Sequence, residues 1–159
     1  MNSELKFILG MYKPTSSMVD KLALTFASSA HKDQKRSDGK PYIIHPIRVA
    51  NQFPRGLVGV RCVALLHDVL EDTNVTVDEL QESFPIGIVD SVVVLTKKEN
   101  ESYFDFIMRI SNGNDSIAKM IKIADLTDNI EDNGKDTKHL KDKYRLARYI
   151  LENSDYERN

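Results

Sequence analysis

The stretch VALLHDVLED, residues 63–72, runs four apolar side chains straight into His67 and Asp68, with Glu71 and Asp72 one helical turn later. Carboxylates beside a core are costly unless they are paired or bound to a cation. Acids near a helix C-terminus also oppose the macrodipole, which prefers cations there. Local rules broken in this way tend to collect at functional sites. On a continuous helix His67 lies above Glu71 and Asp68 above Asp72. A divalent cation placed between the directions of His67 and Asp68 reconciles that pair, leaving Glu71 and Asp72 to serve a water or a substrate. The plainer alternative is a helix end running into solvent before the turn at Thr73-Asn74, and for an isolated His-Asp dipeptide it is the commoner one.

Two other segments carry residues of the same kind. In RSDGKPYIIHPIRVA, His45 directly precedes Pro46 at a helix start. In KMIKIADLTDNI, Asp125 sits within an apolar stripe beside Ala124, where a carboxylate needs a partner. Two histidines and two carboxylates make a mixed nitrogen and oxygen set with open positions, better suited to Mn²⁺ or a neighbouring divalent transition metal than to a structural zinc site. Lys32, Lys35, Arg36, Lys40 and Arg48 cluster around the first segment. They read equally as a charged loop and as a cradle for phosphates. Lys122, three residues before Asp125, can reach the same helix face. Tyr144 and Arg145 are candidates to close a pocket, although core packing explains Tyr144 as well. His31 reads as structural and His139 as solvated.

The elements that must position these residues read as helices. The chain has 159 residues, is 41% hydrophobic and 29% charged, and carries a net charge of −2. One domain of that length can bury a sizeable core. The charge gives no footprint for nucleic acid, no apolar run approaches the roughly 20 residues a membrane span needs, and the N-terminal patch has no cleavable leader pattern. A single cysteine, Cys62, excludes an internal disulfide and fits a reducing cytoplasm. Val19, Leu22, Phe26 and Ala30 form one apolar stripe from about Ser16 to His31, and Val58, Cys62, Leu65 and Val69 form another. Thr76 and Glu79 are spaced as a capping box. IVDSVVVL also has the β-branched content of a buried strand, but nothing nearby would pair with it. Ser102 and Asn114 are placed to cap the helices that follow, and Leu140, Tyr144, Ala147 and Leu151 mark the last one. The expectation is all-α, a single orthogonal helical bundle over residues 1–159, with seven or eight helices.

Taken in order, HKDQKRSDGKPYIIHPIRVA, ALLHDVLEDTNVTVDEL and IKIADLTDNI resemble the HD superfamily of metal-dependent phosphohydrolases. More narrowly, the chain resembles the hydrolase domain of the bifunctional alarmone synthetase–hydrolases and their small single-domain relatives. The resemblance runs from about Ala27 to Asn133. It implies an HD-type helical bundle, a metal held by His45, His67, Asp68 and Asp125, and a catalytic acidic pair at Glu71 and Asp72. It further implies nucleoside contacts from Arg36 near the base and Asn129 near the sugar. Three positions depart from the family pattern. Leu126 stands where a basic residue is frequent, Asp128 where His or Tyr is frequent, and Ser37 where many relatives have lysine. The metal set is untouched by these changes, and the choice of base is where they bear.

The implied reaction is release of pyrophosphate from the 3′ position of a guanosine tetra- or pentaphosphate. Spacing alone supports only a metal-dependent phosphoester hydrolase. Two alternatives stay open: an HD phosphohydrolase acting on another nucleotide, and a metal-binding module that senses a nucleotide without turnover. The length leaves no room for the synthetase and regulatory domains of the long family members, so a stand-alone domain is expected. Its partner would be a small nucleotide rather than nucleic acid or membrane, with self-association into a homo-oligomer left open.

Overall fold

The computed structural model describes residues 17–36, 38–132 and 138–154. The N-terminal patch and Ser37 lie outside the described residues. Among the described residues nine helical segments follow in order: α1 (Met18–Ala30), α2 (Ile44–Asn51), α3 (Val58–Leu66), α4 (Val69–Asp72), α5 (Val77–Ser83), α6 (Ile86–Leu95), α7 (Tyr103–Asn112), α8 (Ser116–Glu131) and α9 (Lys138–Asn153). The all-α expectation holds. Among the described residues the only β pairing is an isolated bridge between Lys35 and Pro41, and IVDSVVVL is helical.

Local chemistry sets most of the boundaries. Pro46 lies in the first turn of α2, where its missing N–H costs nothing. Thr76 and Glu79 close both halves of the capping box on α5. Ser102 caps α7 by accepting the Asp105 N–H at 3.1 Å. The cap of α8 is Asp115 rather than the expected Asn114. Its carboxylate accepts the Ala118 N–H at 2.9 Å and also the Ser91 hydroxyl at 2.7 Å, which ties α8 to α6. One side chain thus caps a helix and bridges two, which the amide one position earlier does not do.

α3 is the axis of the molecule. Cys62, Val63, Ala64, Leu65 and Leu66 are all buried, and α1, α2, α6 and α8 pack on it. A helix that is apolar nearly all round belongs inside. α1 meets it with a face rotated from the expected stripe: Ala23, Leu24 and Ala27 are buried together with Asp20, while Leu22 is 42% exposed. The rotation has an electrostatic cause. Arg61 of α3 is 1% exposed, and its Nε lies 3.5 Å from Asp20 Oδ1. Its Nη1 donates to the carbonyls of Ala50 and Phe53 at the end of α2, at 2.8 and 3.0 Å.

The expected single helix through Val58 and Val69 is two segments. The helix stops at Leu66. Asp68 sits at φ −102°, ψ −4°, the bridge region where turns and active-site residues are found, and α4 starts at Val69. That break occurs at the His-Asp pair itself.

Candidate active site

Three helices bring their ligand-type residues to one point: the first turn of α2, the break after α3, and the middle of α8. His45, His67 and Asp125 are all buried, and each offers one donor atom to a common cluster. His45 Nε2 lies 3.1 Å from Asp125 Oδ1 and 3.6 Å from Asp68 Oδ2. His67 Nε2 lies 3.0 Å from the same Asp68 oxygen and 3.8 Å from the same Asp125 oxygen. On an unbroken helix His67 and Asp68 would diverge by about 100°. Across the turn between α3 and α4 their end atoms nevertheless approach to 3.0 Å.

Each imidazole is held through its other nitrogen. His67 Nδ1 donates to the Ala64 carbonyl at 2.8 Å. A carbonyl can only accept, so Nδ1 carries a proton, and the lone pair of the ring when neutral is at Nε2. That buried Nε2 makes no hydrogen bond, even with Asp68 so close. Two imidazole lone pairs facing two carboxylates repel unless a proton or a cation stands between them. Burial alone would depress both histidines. It is outweighed at His67 by the charge of Asp68, together with Asp125, and at His45 by Asp125 and Asp128, so both pKa values rise. Burial would likewise raise the carboxyls, yet His67 holds Asp68 below the ordinary range, and Lys122 with the imidazoles does the same to Asp125. This donor set fits a divalent cation of the Mn²⁺ type: nitrogen and carboxylate oxygen, no thiolate, one orphaned buried nitrogen.

His45, Asp68 and Asp125 line a cavity of about 240 Å³, while His67 does not line it and joins the cluster through its contacts with Asp68 and Asp125. Arg36, Glu71, Lys122 and Asn129, all expected at the site, line the cavity. Lys122 Nζ lies 2.8 Å from Asp125 Oδ2 and sits over the Phe106 ring, while Asn129 Nδ2 donates to Asp125 Oδ1 at 2.6 Å. Glu71 accepts the Lys97 N–H at 3.0 Å, which anchors α4 to the loop after α6. Asp72 is not among the lining residues. It flanks Tyr42, whose hydroxyl donates to Asp68 Oδ2 at 2.6 Å. Desolvation and the neighbouring Asp68 charge push the Asp72 carboxyl above its usual range. Lys35, expected as a phosphate contact, is exposed and does not reach the cavity. Its alternation in the short Lys35–Pro41 bridge turns Arg36 inward and Lys35 outward.

Several wall residues carried no sequence signal. Lys97, Tyr103 and Phe106 join Tyr42 and Tyr144 around the opening. Lys97 follows α6 in an unremarkable charged loop, and the aromatics of α7 are indistinguishable in sequence from core residues. His31 is buried, its ring packs on Tyr42 at 4.8 Å between centroids, Gln34 Oε1 lies 2.7 Å from its Nδ1, and its buried Nε2 makes no hydrogen bond. His139 is exposed.

Residues 23–122 match the family model described as HD domain, and the chain belongs to the HD-domain family. Among curated proteins, it is 31% identical over 141 residues to the guanosine-3′,5′-bis(diphosphate) 3′-pyrophosphohydrolase of Aquifex aeolicus, covering 82% of this chain and 20% of that protein. To the protein of the same name from Vibrio cholerae it is 36% identical over 137 residues, covering 79% of this chain and 19% of the other. The chain thus spans about a fifth of the length of these relatives. A solved structure described as a metazoan ortholog of SpoT that hydrolyzes ppGpp superposes with a TM-score of 0.72, at 24% identity, over 87% of this chain and 85% of that one. That likeness carries the fold: an HD-type helical bundle. No helix among the described residues is long and apolar enough to cross a membrane.

Proposed function

We propose that this domain is a Mn²⁺-dependent pyrophosphohydrolase that removes the 3′-pyrophosphate of a guanosine 3′,5′-bispyrophosphate-like alarmone. The observation that carries the reading is the convergence of four donors from three separate segments, three of them lining a cavity walled by cations and aromatics. The names of the curated relatives support the substrate class. His45, His67, Asp68 and Asp125 would hold the metal. Bound there, it would supply Lewis acidity toward a phosphoryl oxygen and lower the pKa of a water.

The chain's own residues divide the remaining work. Glu71, fixed by the Lys97 N–H, is placed to orient the attacking water and accept its proton. Asp72, with its pKa raised, is suited to hold a proton for the departing group, and Tyr42 links it to Asp68. Lys122 and Arg36 offset charge on the pyrophosphate. Asn129 donates to Asp125 and lines the cavity, where it would contact the sugar. Tyr103, Phe106 and Tyr144 offer flat apolar surface for a purine. The base is read by few directional contacts, and a site rejects analogues strongly only where such contacts are complete. Of the three departures Leu126 lines the cavity, and it narrows the expected preference for guanine over adenine.

The test incubates the Mn²⁺-loaded protein with guanosine and adenosine 3′-pyrophosphates, GTP and GDP, and resolves the products by chromatography. Both 3′-pyrophosphorylated nucleotides should release pyrophosphate while GTP and GDP persist. Cleavage of 5′-nucleotides with inert 3′-pyrophosphates would overturn the alarmone reading in favour of a broader phosphohydrolase.

A further inference from the structure

His45 and Arg48 stand three apart on α2, and Asp125 and Asp128 stand three apart on α8, so each pair shares one helix face. The two faces meet. His45 Nε2 addresses Asp125, while His45 Nδ1 lies 2.7 Å from Asp128 Oδ2. Arg48 grips Asp128 with two parallel bonds, Nε to Oδ1 at 2.6 Å and Nη2 to Oδ2 at 2.8 Å. A two-pronged guanidinium contact fixes the plane of a carboxylate as well as its position. Arg48 Nη2 also lies 3.3 Å from Asp132 Oδ2, and Asp132 in turn receives Arg36 from the cavity wall. Asp128 is 8% exposed and does not line the cavity.

We infer that Asp128, clamped by Arg48, is the positioning residue of His45: it fixes the tautomer with the proton on Nδ1 and aims Nε2 at the metal. The inference rests on the metal site proposed above. His67 obtains the same tautomer from a backbone carbonyl, which no side-chain substitution removes. His45 has only the Asp128 side chain for this, so the pair of histidines contains its own control. A carboxylate partner also makes the imidazole a stronger ligand than a carbonyl does. Removing Asp128 should therefore weaken metal binding although it touches neither metal nor substrate.

The experiment has two arms. Metal affinity is measured by competition with a fluorescent chelator for the parent, Asp128→Ala and Asp128→Asn, with a thermal melt of each. Asp128→Ala should bind about 10–100-fold more weakly. Asp128→Asn keeps an amide oxygen that can accept the Nδ1 proton and should recover most of that loss. In the second arm, long-range ¹H–¹⁵N spectra of the Zn²⁺-loaded parent should show His45 and His67 both protonated at Nδ1 and metal-bound at Nε2. The His45 signals alone should change in the variants. A purely structural ion pair would lower the melting temperature and leave affinity and tautomer unchanged, and that result overturns the inference, as does a parent His45 bound through Nδ1. If Asp128→Ala does not fold, the parent spectrum and the Asn variant still decide the matter. A parent that binds no metal overturns the metal site itself, a result distinct from tight binding that ignores Asp128.

Discussion

Asp20 and Arg61 are 0% and 1% exposed; His45, His67 and Asp125 are 2%, 3% and 4% exposed. Both clusters bury charge beside the same central helix, α3, and they are completed differently. The first closes on itself. One carboxylate meets one guanidinium, and that guanidinium also caps the carbonyls at the end of α2. The second does not close. Its carboxylates outnumber Lys122, and the Nε2 atoms of both imidazoles converge on those carboxylates with no guanidinium among them. Burial of charge therefore does not mark function by itself. An unbalanced set of donors converging on one point does, because only an added cation or proton completes it.

The comparison is broken most directly at the ligands. His67→Ala or Asp125→Ala should abolish metal retention and reduce turnover to background, as measured by elemental analysis and product formation. Full metal occupancy in both variants would remove the cluster from the argument. Asp20→Ala should do the reverse. Removing the carboxylate beside the buried Arg61 guanidinium is expected to cost about 3–5 kcal/mol in denaturant unfolding, with metal affinity retained by the folded fraction.

The next effect separates ligands from the acids beside them. Glu71→Gln should keep the metal while turnover falls about 10²–10⁴-fold, the range of a lost general base. Asp72→Asn should keep it too, with a loss toward the lower end because Asp72 stands behind Tyr42 rather than on the cavity wall. Rates equal to the parent in both variants would make the pair surface acids and favour a nucleotide-sensing module.

The smallest effect is on stability against pH in the metal-free protein. His45 and Arg48 outweigh burial and hold Asp128 down at about 2. Its unfolded value is near 3.9. The unfolded chain thus takes up this proton first on acidification. The stabilisation is complete above about pH 4 and fades as the pH falls toward 2. Urea unfolding of the parent and Asp128→Asn should differ at pH 6 and converge toward pH 2. A difference that does not vary with pH would show that the carboxylate charge is not what Arg48 and His45 hold.

Much of this was legible in the amino-acid order. The all-α class, the caps at Thr76 and Ser102, and the inward residues of α9 follow from local periodicity and side-chain hydrogen bonding, which act within a few residues. The four ligand-type residues stood out because histidine and aspartate in apolar stripes violate a local rule. What tertiary structure decided is whatever depends on partners far along the chain. The face of α1 was set by Arg61, about 40 residues from Asp20, and no window centred on α1 contains it. Asp128 reads in sequence as a departure from a pattern; only the packing of α8 on α2, across 83 residues, makes it the partner of His45. The break at His67-Asp68, across which the two side-chain ends approach each other, follows no Gly or Pro. It is held by contacts on both sides, from Tyr42 to Asp68 and from the Lys97 N–H to Glu71. Sequence alone thus determined which residues could do chemistry, because side-chain type is local. The fold decided which atom of each faces the metal site, because orientation is set by whatever packs behind it.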